Sequence, residues 1–268
     1  MIAFRRAAVI VLMLIALASL FADVLAPNNY AEQFRDAISA PPSLRFPLGA
    51  DELGRDRLSR LMHGTRISLL LAPAAALLTT VIAGLAGGAA AYLGGAWEGL
   101  FRTVTDALLA LPWLFLLLAV RALLPLNVAP WTSIAITFLL LGCLGWAGPA
   151  RIIRAGARTL LTADYLVQAR ATGAARSRVL LRHLIPNLAP LLAAQFWIAV
   201  PAFILTEANL GLLGLGIAEP LPSWGGMLRE LENYQAVLQS PWMLAPAVLL
   251  ILVTGCLQVA LGGRQATL

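Results

Sequence analysis

The sequence predicts an all-α, polytopic membrane protein, and three observations support that expectation. Hydrophobic residues make up 60% of the 268-residue chain and charged residues 12%, about half the roughly 25% charge of a soluble domain. The apolar residues gather into six runs: Ala7 to Ala22, Ile67 to Leu93, Thr103 to Pro125, Val128 to Ala150, Leu188 to Thr206 and Trp242 to Gly262. Most approach the roughly 20 residues a helix needs to cross about 30 Å of hydrocarbon. The charges, in turn, collect between the runs, where positive charge biases a loop toward the cytoplasm.

Residues 1–26 hold the first and shortest run, behind Arg5 and Arg6. With small residues between Ala18 and Ala26 it also fits a cleaved secretory leader, but five further runs favour a retained N-terminal transmembrane helix. A polar segment, 27–65, follows. The second run carries Gly84 and Gly88 in a G-x-x-x-G pair, and Gly142, Gly145 and Gly148 line one side of the fourth. Small residues of this kind let membrane helices approach closely, although single pairs are also ordinary in such helices. Pro73, Pro112, Pro149, Pro201 and Pro246 mark kinks or helix ends, because proline removes a backbone donor and clashes with the preceding turn.

All 19 basic residues are arginine. A phosphate-binding loop of the G-x-x-x-x-G-K-[ST] type needs a lysine, so the chain cannot hydrolyse ATP through that motif. Cys143 and Cys256 both fall inside predicted spans and read as small buried residues, with no disulfide and no zinc site. The pI near 10.3 suggests nucleic acid at first sight, but arginines flanking membrane spans are explained by orientation, and no nucleic-acid partner is expected. A cytoplasmic N-terminus puts the loop after Ala150 inside and the segments 27–66, 124–130 and 207–241 outside. From Arg151 to Arg182 there are seven arginines against Asp164 alone, whereas Glu207 to Pro241 sets Glu207, Glu219, Glu230 and Glu232 against Arg229. The segment after the first run is less tidy. Its Arg35, Arg45, Arg55, Arg57 and Arg60 count against an external position, which both neighbouring loops nevertheless favour.

The cytoplasmic stretch YLVQARATGAARSRVLLRHLIPN, Tyr165 to Asn187, is polar and arginine-bearing between two hydrocarbon runs. Thr162 is placed to cap a helix of about ten residues, with Asp164 in its first turn and Gly173 ending it in a left-handed turn. Arg176 to His183 then suits a second short helix, and Pro186 begins the return into the bilayer. Slim residues such as Ala169 and Ala171 leave room for a groove on a partner; a solvated loop is the competing reading.

Other chemistries find little support. Asp106 is the one acid well inside a run, the kind of residue a secondary, ion-coupled transporter uses, but it lies close behind Arg102 near a run's end, which favours a structural role. His63 and His183 lie in polar segments at opposite faces, so neither a serine–histidine pair nor a metal site is expected. The glycines of Gly211 to Gly216 do not match G-x-G-x-x-G, and no cofactor site is expected in this chain.

Tyr165 to Asn187 resembles the EAA loop of ABC importer permeases, E-A-A-x-x-x-G with a proline thirteen residues after the glycine. Val167, Gln168 and Ala169 take the first three places, Gly173 the glycine and Pro186 the proline. FPLGADELGRDRLSRLMHGTRISL, RTVTDALLALP, GWAGPARIIR and EANLGLLGLGIAEPLPSWGGML follow the same order as in the dipeptide, oligopeptide and nickel permease family. The resemblance implies a type I importer permease fold: six transmembrane helices with cytoplasmic coupling helices, a permease domain over 66–263 with its coupling loop at 151–187, and a short tail over 264–268. It implies ATPase-coupling roles for Asp164, Tyr165, Val167, Gln168, Ala169, Arg170, Gly173 and Pro186. Also implied are a bacterial inner-membrane location, a second homologous permease subunit, two cytoplasmic ATPase subunits that bind the ATP, an external solute-binding protein and surrounding lipid. The solute class covers dipeptides, oligopeptides, glutathione-like molecules and nickel chelates. The family's glutamate and first alanine are replaced by Val167 and Gln168, and the chain's end, LGGRQATL, lacks an aspartate-rich close.

Overall fold

A computed structural model of the chain describes residues 2–125, 128–172, 175 and 178–265. Five stretches are long and apolar enough to cross a membrane: Ala3–Leu20, Arg57–Leu93, Pro130–Leu161, Arg182–Leu212 and Pro241–Leu261. They contain α1 (Ile2–Leu20), α3 (Arg57–Leu93), α6 (Pro130–Leu144) with α7 (Ala147–Leu161), α9 (Ile185–Leu212) and α12 (Ala245–Gln265). Shorter helices lie between them: α2 (Ala22–Leu25), α4 (Gly95–Ala110), α5 (Trp113–Leu123), α8 (Asp164–Ala171), α10 (Trp224–Arg229) and α11 (Tyr234–Gln239). No strand occurs among the described residues. The third apolar run is not a straight span: α4 and α5 are bent by 87° at the Leu111–Pro112 break. Proline explains the break, since it cannot donate to the ladder and turns its predecessor away from helical geometry; Leu111 is extended, with ψ 135. The six-span expectation holds if this bent pair is counted as one span.

The chain divides into two compact units. The first comprises residues 1–72, 120–138 and 201–268. Here α1 and α10 both pack on α12, while the segment before α3 is organised by charge. The Asp51 carboxylate accepts from the Leu53 and Arg55 amides (2.9 and 2.8 Å) and from the Arg55 side chain (2.7 Å). Arg55 and Arg60 both reach Glu219 (2.6 and 3.0 Å), and Arg57 reaches Glu230 (2.5 Å). Asp56 accepts from the Leu58 and Ser59 amides and from the Ser59 hydroxyl, capping α3 in a manner worth about 1 kcal/mol. Much of the charge that complicates orientation is therefore neutralised in place. In the first turn of α2, Asp23 accepts from Arg66 (2.6 Å) and lies 3.1 Å from His63 Nε2. Arg66 first, then His63, holds the Asp23 carboxyl below its ordinary range. This tie is complete above the ordinary carboxylate range and is lost as pH falls through the lowered value.

Glu207, expected in an external segment, instead lies inside α9 and is fully buried. Its Oε2 accepts from the Ser68 hydroxyl at 3.2 Å, while Oε1 has no partner among the described residues. Close by in the sequence, buried Trp224 donates its indole N–H to Thr65 (3.0 Å). Residues from three separated sequence stretches, HGTRIS, EANL and SWGG, thus meet through hydroxyl and indole bonds.

The second unit comprises residues 73–119 and 139–200. One core cluster joins Ala83, Ala90, Phe101, Ala150 and Ile153; another joins Ala157, Leu184 and Leu188. Close approach falls on a different glycine from the one the G-x-x-x-G pattern suggests. A Cβ at Gly87 would overlap the Ala150 carbonyl and lie 3.1 Å from the Arg154 amide, whereas a Cβ at Gly84 would touch only a Leu192 methyl and one at Gly88 would meet nothing. On α6, a Cβ at Gly142 would come within 2.7 Å of Leu78, and nearby the Thr79 hydroxyl donates to the Gly142 carbonyl (2.7 Å). One at Gly148 would again meet nothing. Cys143 is exposed and Cys256 half-buried, both free. The expectation of buried cysteines fails at Cys143 because, in a lipid-embedded chain, an apolar side chain needs no protein cover.

Gly87→Ala forces α3 away from the Ala150 carbonyl and is expected to cost about 1–3 kcal/mol, whereas Gly88→Ala is neutral or mildly stabilising. Thermal unfolding of the two variants in the same detergent checks this; equal midpoints would show that Gly87 is not the contact.

Candidate functional site

The candidate site is built on α7. Its arginines fall at i, i+3 and i+7, positions that share one helix face, and its small residues Ala147, Ala150 and Ala157, with Ile153, form a buried face. The helix runs on to Leu161, so Arg151, Arg154 and Arg158 belong to a membrane-length stretch and not to a free loop. All three find acids on α4. Glu98 Oε1 receives Arg154, Arg158 (2.6 Å) and Arg102 (2.7 Å), and Arg151 is paired with Asp106. Arg154 also lies 5.9 Å from the Phe101 ring centroid. This gives Asp106 the structural role expected for it. Glu98 carries no motif; its one sequence signal is the i, i+4 spacing to Arg102.

Thr162, expected to cap the start of the next helix, ends α7 instead: its hydroxyl donates to the Thr159 carbonyl at 2.9 Å. A hydroxyl can answer either a free carbonyl or a free amide, and here the terminal carbonyls take it. After the turn at Ala163, α8 runs for eight residues with Asp164 in its first turn. Leu166 is its buried anchor at 0% exposure, whereas Tyr165 (42%), Val167 (51%), Asp164 and Gln168 face outward. α8 packs on α7 and on the turn over Val179–Leu184. Burying one leucine in this way contributes about 1.5–3 kcal/mol, enough to seat a two-turn helix whose own propensity is marginal. Gly173 lies outside the described residues, as do the side chains of Ala169 and Arg170.

The second short helix expected over Arg176 to His183 takes another form. Val179–Leu184 is a π-helical turn, with the Ile185 amide bonded to the Leu180 carbonyl, and it passes without interruption into α9. Pro186 is the second residue of α9, and Asn187 donates its side-chain amide to the His183 carbonyl (2.6 Å). The wide turn accommodates a proline that brings no amide of its own. Leu184 and Leu188 pack with Ala157, Leu160 and Leu161, forming the apolar base beneath α8. No metal-holding cluster of His, Cys, Asp or Glu exists among the described residues.

The arrangement is that of a multi-span membrane protein presenting a short, anchored helix with an exposed apolar and polar face. The family model described as binding-protein-dependent transport system inner membrane component matches residues 70–263. The chain is 37% identical over 229 residues to the di/tripeptide transport system permease protein DppC of Pseudomonas aeruginosa, covering 83% of this chain and 74% of that one. It is 33% identical over 258 residues to the oligopeptide transport system permease protein OppC of Haemophilus influenzae, covering 94% and 80%. To OppC of Escherichia coli it is 33% identical over 253 residues, covering 93% and 81%. The chain belongs to the family of binding-protein-dependent transport system inner membrane components, and is a permease subunit of an ABC importer. Nothing in these similarities supports an ion-coupled transporter.

Glu98→Gln removes the charge that three guanidiniums share and is expected to loosen α4 from α7. The variant's thermal unfolding midpoint in detergent is expected to fall below the parent's, because the guanidiniums are left without their charged partner. An unchanged midpoint would show that packing alone holds α4.

Proposed function

We propose that this permease subunit pairs with a second, homologous permease subunit to form a pathway for peptides, and that Asp164 to Pro186 docks into cytoplasmic ATPases beneath the pair. Two such ATPases bind and hydrolyse the ATP, and an external solute-binding protein delivers the peptide to the opposite face. The N-terminus and the 151–187 segment are cytoplasmic, and residues 27–65 are external. The peptide assignment rests on the three relatives named above, which are di/tripeptide and oligopeptide permeases.

The observation that carries the docking role is the split character of α8: Leu166 is fully buried while Tyr165, Val167 and Gln168 stand clear of the chain. A helix seated by one face and bare on the other suits a groove on a partner. Val167 occupies the place of the family's glutamate, so the contact there is apolar in this chain. Such a contact transmits ATP-driven closure only if the partner grips it differently in the two transport states.

Val167→Arg is expected to weaken co-purification of the ATPase subunits by about tenfold, the effect of losing ~1.4 kcal/mol, with the sister permease still bound and uptake correspondingly reduced. Arg45→Gln, in the segment placed outside, leaves recruitment intact. Normal recruitment and uptake by Val167→Arg would reduce α8 to a solvated loop.

A further inference from the structure

The first unit contains a pocket of about 170 Å³ lined by Tyr30, His63, Arg66, Ile67, Leu70, Leu71, Trp131, Leu221 and Pro222. Along α3 the sequence changes character at this level: RLSRLMHGTR precedes it and ISLLLAPAAALL follows. Arg66 and Ile67 therefore mark a passage from water to hydrocarbon. Trp131, at the start of α6 and 69% exposed, is where an interfacial aromatic residue belongs.

The pocket has a polar rim above an apolar floor, and its hydrogen-bonding capacity is only partly used. Arg66 spends Nη1 and Nη2 on Asp23 (2.6 and 3.3 Å), leaving donors of its five-donor fork free. Tyr30 stacks against His63 at 4.7 Å between ring centroids. Neither the Tyr30 hydroxyl nor the Trp131 indole N–H has an acceptor among the described residues. These donors sit beside one carboxylate: Asp23, held by two lining residues, is 68% exposed at its side chain. Leu70, 53% exposed, and Leu71 continue the pocket toward the hydrocarbon.

We propose that this pocket binds a phospholipid with a primary-amine headgroup. The phosphodiester accepts from Arg66, Tyr30 and Trp131, the ammonium donates to the open side of Asp23, and the first part of an acyl chain lies over Ile67, Leu70 and Leu71. The membrane supplies the occupant at this level, and the charge pattern selects among lipids. The Arg66–Asp23 pair is itself dipolar, so a zwitterionic headgroup complements it at both ends, while an anionic glycerol headgroup offers the carboxylate only neutral hydroxyls, which donate weaker bonds than an ammonium. A choline headgroup places methyl groups where Asp23 seeks a hydrogen bond.

The test uses the full-length chain in nanodiscs of phosphatidylcholine carrying either phosphatidylethanolamine or phosphatidylglycerol at the same minor fraction, followed by native mass spectrometry of retained lipid. One phosphatidylethanolamine is expected on the parent chain, at least about tenfold enriched over phosphatidylglycerol. Tyr30→Phe, which deletes only a hydroxyl, and Arg66→Gln should each reduce the enrichment by several fold, and Leu44→Ala should not. Soluble phosphoethanolamine, lacking acyl chains, should fail to displace the lipid; displacement would assign the site to a free phosphate compound and overturn the lipid assignment. Equal retention of the three lipids, or unchanged enrichment in both Tyr30→Phe and Arg66→Gln, would also overturn it.

Discussion

In hydrocarbon no water answers a charge or a bare backbone group, so every polar atom that enters must bring its own partner. This chain, whose 19 Lys/Arg positions are all arginine, pairs its charged side chains along the helices, at partly exposed positions as well as buried ones. Glu98 receives three guanidiniums and Asp106 a fourth, which turns the cationic face of α7 into the attachment for α4. Arg121, 1% exposed in the apolar α5, has no acid. It donates to the Pro125 carbonyl (3.3 Å) and the Ser133 hydroxyl (3.4 Å), and that hydroxyl also accepts from the Ala218 amide (3.1 Å). Glu207 accepts from the Ser68 hydroxyl. Because breaking a buried polar arrangement by removing one partner is costly, these pairings fix which helices pack together within each unit.

The spans were legible in the sequence because composition alone decides burial in lipid, and runs of about 20 apolar residues have few alternatives. The bend at Pro112 was legible as a break but not as an angle: proline states that the ladder ends, while neighbouring packing sets the new direction. Gly87 was hidden because G-x-x-x-G counts spacing and not the facing partner; what makes Gly87 the contact is the Ala150 carbonyl on α7. Glu207 was taken for an external acid because a glutamate near a run's end normally marks water. Here α9 continues to Leu212 and carries the acid inward to Ser68. In the sequence the arginines of α7 read as loop charges, because Glu98, which pairs with Arg154 and Arg158, lies more than fifty residues away.

At the candidate site, the glycine and proline spacing selects the segment, and its local form depends on a packing detail. The second polar helix is a π-helical turn continuous with α9, and α8 is short, with Leu166 buried and with α7 and the Val179–Leu184 turn packed against it. A short helix rigidly footed in this way suits the docking role proposed for it better than two loosely tethered helices would.

The proposed coupling stands on sidedness: α8 must face the compartment that holds ATP, and residues 27–65 the opposite one. In a chain with Cys143 and Cys256 replaced by alanine, single cysteines at Leu44 and at Ala175, both exposed, can be tested in intact cells and in inverted membrane vesicles with a membrane-impermeant maleimide. The account predicts labelling of the Leu44 position only in intact cells and of the Ala175 position only in inverted vesicles. Labelling of both from the same side, or the reverse pattern, would contradict it.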